Sequence, residues 1–175
     1  MTVQLSVEDL IEYTDWERDQ WLAFLRARGE ELLRVGVGSN GDGRFQSVGD
    51  LVKHIFSAEK RYIDRLSGRE ITDASLLPSD SVEPLFAFGA QSRKHLKEFI
   101  AAFPSERWDE DVELNLMNRT IQATPRKIVA HVLVHEIRHW PQIATLLRLN
   151  GIVGDFRDFL FSPVMCGNAR RQRSV

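Results

Sequence analysis

The chain is poor in the features that would place it outside a reducing compartment. It has one cysteine, Cys166, so no internal disulfide can form, which agrees with the cytosol. Cys166 lies beside a glycine-containing tail and reads as a passive thiol rather than a nucleophile. No apolar run approaches the ~20 residues that cross a bilayer. The first residues, Met1 to Asp9, carry acids where a signal peptide would carry a basic start. A cytoplasmic protein with no membrane partner is therefore expected. Charge of one sign is also missing: 23 Lys and Arg stand against 25 Asp and Glu, a net −2 spread along the chain. That removes the electrostatic reason to bind nucleic acid. The one basic cluster, Arg170, Arg171 and Arg173, reads as a solvated tail.

Apolar residues make up 43% and charged residues 27% of the 175, close to the soluble average of roughly 45–50% and 25%. The length suits one domain, 1–175, with a flexible tail from about residue 163.

The apolar spacing predicts helices. From Ser6 to about Leu33, residues Leu10, Tyr13, Trp16 or Glu17, Trp21, Phe24, Leu25 and Leu32 recur every three or four positions, with Ser6 as cap and Glu8 and Asp9 in the first turn. Gly36, Gly38, Gly41 and Gly43 then form a loop. Ser47 with Asp50 resembles a capping box opening a second helix, whose face runs Leu51, Ile55, Ala58, Tyr62, Leu66 before Gly68. A third helix spans about Val82 to Phe103, with Leu85, Phe88, Ser92, Leu96, Phe99 and Phe103 inward and Pro104 ending it. Alternation in Val112, Leu114, Leu116 and then Thr120, Gln122 around Met117-Asn118-Arg119 predicts a short β-hairpin. Thr124 caps and Pro125 opens a fourth helix that runs to Asn150 and Gly151. The result is an all-α bundle of four helices with a hairpin between the third and fourth.

Three of the five histidines, His131, His135 and His139, repeat every four residues in the fourth helix. Each lies about 40° round and roughly 6 Å along from the one before. Neighbouring pairs can share a ligand; the outer pair is about 12 Å apart along the axis, awkward for bonds of about 2.0–2.1 Å. The inward stripe Ile128, Val132, His135, His139, Ile143, Leu146 places His135 and His139 toward the interior. His54, beside Ile55 and one turn from Leu51, faces inward from the second helix. Buried imidazoles need partners, at on the order of 1–3 kcal/mol each if they lack them, and a shared divalent cation would satisfy all three. A His₃ site with a position open to water or a small-molecule substrate is the expectation. The competing reading of each inward histidine is a hydrogen-bonded core residue, and spacing alone leaves a 131/135 pair open. His131 could instead assist a ligand, contact substrate or be exposed. His95, among Arg93, Lys94 and Lys97, reads as part of a solvated face.

The string His135-Glu136-Ile137-Arg138-His139 also matches the HExxH pattern of zinc metalloproteases, in which the glutamate is a general base. After His139, however, the chain has no His or Glu to supply the usual downstream third ligand; the later acids are Asp155 and Asp158. Glu136 lies about 100° off the ligand stripe and reads first as a structural group, and second as a catalytic base.

Ser47-Val-Gly-Asp-Leu-Val-Lys-His54, then Glu59 and Gly68, then His131-Val-Leu-Val-His135-Glu-Ile-Arg-His139 with Gln142, Ile143, Leu147, Arg148 and Gly151, resembles the DinB/YfiT-like superfamily over nearly the whole chain. That resemblance implies an up-down-down-up four-helix bundle and a homodimer. It also implies a nickel, zinc or iron ion held by His54, His135 and His139. Characterised relatives include transferases and isomerases that use a low-molecular-weight thiol, and hydrolases. The chain departs from the pattern at Trp140-Pro141-Gln142, where many relatives carry Arg-Gly-Gln. Pro141 removes a bond to the Ile137 carbonyl and is expected to kink the helix. Trp140 is expected either to shape a pocket mouth or to serve in packing or a dimer contact. Arg138 and Tyr62 are candidate substrate contacts. Three functions follow as expectations: a metal-dependent enzyme, a non-catalytic metal-binding stress-response protein, and an HExxH protease.

Overall fold

Ser6 begins the first helix as its sequence suggests. Its hydroxyl accepts from the Asp9 N–H at 3.0 Å while the Asp9 carboxylate accepts from the Ser6 N–H at 2.8 Å, a reciprocal capping box. In the computed structural model, which describes residues 4–38, 44–116, 119–155 and 157–166, α1 spans Val7–Arg28. It stops before Leu33 because Gly29 turns out at φ 100° and its N–H closes on Leu25. A 3-10 helix, Glu30–Arg34, then buries Leu32 and Leu33, which is why the apolar spacing ran on past the true end. Helix α2 is Val48–Leu66, with the Ser47 hydroxyl capping the Asp50 N–H. The Asp50 carboxylate reaches Gln46 N–H rather than Ser47. Helix α3 is Val82–Ala102. The hairpin pairs β1, Val112–Leu116, with β2, Arg119–Ala123, antiparallel, Leu116 opposite Arg119; Met117 and Asn118 lie outside the described residues. Helix α4 is Pro125–Leu149, capped by Thr124.

Side-chain contacts give the helix directions. Arg18 and Trp21 of α1 meet Glu136 and Trp140 of α4 in the same order, so these two run parallel. Phe56 and Glu59 of α2 meet Phe86 and Arg93 of α3, also in order. His54 and Tyr62 of α2 meet His139 and His131 of α4 in reverse. The bundle is therefore up-down-down-up with a hairpin between α3 and α4, an all-α fold carrying two short strands.

One apolar cluster, with Trp21, Leu25, Phe56, Leu85, Trp140 and Ile143, fills one end of the bundle. Another, with Ile63, Leu96, Phe99, Val129 and Leu133, fills the other. Between them lies a charged layer with one residue from each helix. Arg18 bonds Glu136 at 2.6 and 2.7 Å and Glu59 at 2.9 Å, and Arg93 bonds Glu59 at 3.0 Å and Glu136 at 2.7 Å. All four are nearly inaccessible to solvent. Arg93 is thus no part of a solvated face, and its neighbour His95 is half-buried with an Nδ1 that meets no partner among the described residues.

Close packing depends on two glycines. A Cβ on Gly49 would lie 1.7 Å from the Ser79 carbonyl oxygen, and one on Gly89 would lie 2.8 Å from the Phe56 ring. The chain is packed at least as far as Val164: Arg157 caps the Trp21 ring at 4.1 Å, its carbonyl accepts from the Tyr13 hydroxyl, and Ser162 and Val164 are buried. The expected tail beyond, with its arginines, and the Cys166 side chain lie outside the described residues. No helix among them is long and apolar enough to cross a membrane.

Candidate metal centre

The inward stripe of α4 is rotated from the one its sequence suggests. Its centre is Val129, Leu133, Glu136, Trp140, Ile143 and Leu147, so the 100° step from His135 to Glu136 carries the glutamate into the core. His135 and His139 then stand at the shoulder of that stripe, facing α2. Glu136 is held there by Arg18, Arg93 and the Trp140 indole N–H, which donates to it at 3.1 Å. Burial works to raise the Glu136 pKa, but the charges of Arg18 and Arg93 hold it below the ordinary value. Trp140 is fully buried, stacked on Trp21 at 5.3 Å and edge-on to Phe56 at 6.0 Å. It is a packing residue; it shapes no pocket mouth and reaches no dimer surface. The helix continues through Pro141 to Leu149.

His54 projects from α2 to the same place. Its Nε2 lies 3.1 Å from the His135 Nε2, which lies 3.1 Å from the His139 Nε2. The Nδ1 of His139 is 2.6 Å from Gln142 Oε1. An amide oxygen only accepts, so Nδ1 carries the proton and the lone pair of His139 is on Nε2. Each neutral ring has one N–H, so hydrogen bonding alone leaves this convergence poorly satisfied. Two nitrogens bonded to one ion at about 2.0–2.1 Å sit about 3 Å apart at angles between square and tetrahedral. The donor set fits a divalent transition ion. His54, His135 and His139 form the group of metal-capable side chains found among the described residues.

Electrostatics keep this set ready to bind. Burial, then the neighbouring His139 and the cations Arg61 and Arg44, lowers the His54 pKa to about 4. Burial, then His139 and His54, lowers that of His135 to about 3. Burial lowers His139 too, with Gln142 opposing it. All three rings are neutral at neutral pH, the form that ligates. His131 stays outside the set: its ring stacks edge-on against Tyr62 at 5.3 Å and lies 5.7 Å from His135.

The triad opens into a cleft of 1280 Å³ walled by α2, α4, the hairpin and the loop before α2. Phe45 lies 4.7 Å from the His54 ring at its edge. Tyr62 and Arg138 both line the cleft, as do Arg61, Arg65 and Arg119. These last three were not singled out in the sequence. For two of them a signal existed: Arg61 and Arg65 follow His54 by seven and eleven residues, which keeps them on its helical face.

The model of the DinB family matches residues 1–165. The chain belongs to the DinB family. No curated protein matches it. Membership agrees with the bundle and with a histidine triad able to hold a metal ion.

Proposed function

We propose that this DinB-family chain is a metal-dependent enzyme that binds one zinc, nickel or iron ion through His54, His135 and His139 and acts on a small molecule. The observation that carries it is the convergence of three neutral Nε2 atoms on the wall of an open cleft. A divalent ion held there supplies Lewis acidity and lowers the pKa of a bound water or thiol. That chemistry suits hydrolysis, or transfer and isomerisation with a low-molecular-weight thiol. The protein's own part is to fix the rings. Gln142 sets the His139 tautomer, the Arg18, Arg93 and Trp140 contacts to Glu136 set the rotation of α4, and Phe45 excludes water from one side of His54.

A second reading is an ion that only ties α2 to α4 in a non-catalytic stress or binding protein, favoured by the way the triad bridges those two helices. The open cleft favours catalysis. The protease reading lacks support because both Glu136 oxygens are taken by buried donors and no base remains free at that position.

The test is elemental analysis of protein purified without a nickel column, for wild type and for His54→Ala, His135→Ala and His139→Ala. About one ion per chain, lost in each variant, is expected. A wild type that takes up no ion after reconstitution sinks the proposal. Perturbation of the cobalt-substituted spectrum by thiols or carboxylates separates the enzyme from the cross-link, which predicts an unchanged spectrum.

A further inference from the structure

Although the chain is nearly neutral, the cleft around the triad is not. Arg44, Arg61, Arg65, Arg119 and Arg138 line it, and no Asp or Glu does among the described residues. Elsewhere on the surface several exposed arginines stand against carboxylates, Arg26 on Glu83, Arg107 on Glu110 and Arg126 on Asp109, while Arg28 and Arg148 meet the Phe24 ring and the Thr145 hydroxyl. In the cleft, Arg61, Arg119 and Arg138 meet no acid among the described residues, and Arg65 reaches only the Arg61 carbonyl, at 3.3 Å. Arg61 and Arg65 are one helical turn apart, a spacing at which like charges repel, and both are half-buried. The arrangement costs stability, which an anion between the two would offset.

Much of the rest of the lining is apolar, with Leu51, Phe45, Leu116, Ile121 and Leu146. We infer that the cleft binds a small amphipathic organic anion, its apolar body on this surface and its carboxylate or phosphate group held by guanidinium groups of that wall, Arg61 and Arg138 among them. Guanidinium groups suit both oxyanions, which they hold with paired N–H donors. A concave cleft, in a chain of net −2, fits a small molecule better than nucleic acid, which needs a basic stripe following a phosphate backbone. This deepens the enzyme proposal by naming its substrate class, and rests on it only for the reacting end of the ligand.

The test is calorimetric titration of zinc-reconstituted protein with benzoate, phenyl phosphate and the neutral benzyl alcohol, repeated with Arg61→Gln and Arg138→Gln. Circular dichroism checks that the variants fold, and the exposed Arg138 keeps the test available if Arg61→Gln does not. At least one anion is expected to bind more tightly than the alcohol, weakened about tenfold or more by each substitution; which anion binds tells the carboxylate from the phosphate. Binding no tighter than the alcohol, or unchanged in both variants, overturns the inference even if zinc is retained. Tighter binding of a single-stranded oligonucleotide through the same arginines also overturns it. If zinc fails to bind while an anion still binds through the arginines, the metal proposal falls and this one stands.

Discussion

Gln142 is the residue whose small change should report most directly on the triad. Replacing it by Ala removes the acceptor that holds the His139 proton on Nδ1. Metal affinity should fall about 10–100-fold with the fold intact; competition against a chromogenic chelator measures it, and an unchanged affinity would show that Gln142 does not set the tautomer. Glu17 tests burial. The residue is 5% exposed, and burial, followed by the nearby charge of Glu136, raises its pKa from 4.5 to about 8. The folded chain therefore keeps a proton that the unfolded chain releases between those values. The stability contributed is complete below pH 4.5 and is lost as pH rises through about 8. Glu17→Gln mimics the protonated form and should escape that loss. In urea titrations it should match wild type at about pH 5 and exceed it by on the order of a few kcal/mol at about pH 9.

At the scale of elements, helix starts were the most legible feature. Ser6, Ser47 and Thr124 cap as their positions suggest, because capping is a local bond between near neighbours in sequence. The end of α1 was not, since Leu32 and Leu33 are buried from a 3-10 turn and keep helical spacing. Nor were the close helix contacts at glycine. Gly89→Ala should gain about 1 kcal/mol of helix propensity but lose more to overpacking against Phe56, about 1–3 kcal/mol. A net fall in Tm is expected. Gly49→Ala should be worse, because its methyl meets the Ser79 backbone rather than a ring that can shift. A Tm at or above wild type for both would show that these contacts relax freely.

Across the whole molecule, the charged layer holds the four helices in register. Glu136→Gln should cost about 3–5 kcal/mol, because Arg18 and Arg93 stay buried and lose a carboxylate they share, leaving Glu59 and the partly exposed Asp15. Chemical denaturation measures this, and the folded fraction should still bind metal. Unchanged stability together with loss of a peptidase activity would instead revive Glu136 as a base.

By itself the sequence determined the four helices, the hairpin and the caps, because helical period and cap chemistry act over a few residues; spacing left a 131/135 pair open, and only the family resemblance settled on His54, His135 and His139. It could also have shown that Glu59, Arg93 and Glu136 occupy apolar stripe positions, four residues or a turn multiple from Ile63, Phe86 and Trp140. Only the tertiary structure decided how those charges cancel, since Arg18 and Glu136 are 118 residues apart in sequence. It also decided which shoulder of α4 faces His54, and that Arg61, Arg65, Arg119 and Arg138 share one cleft. Periodicity gives a residue's angle about its own helix; which helix stands opposite, and what charge it brings, follows from packing.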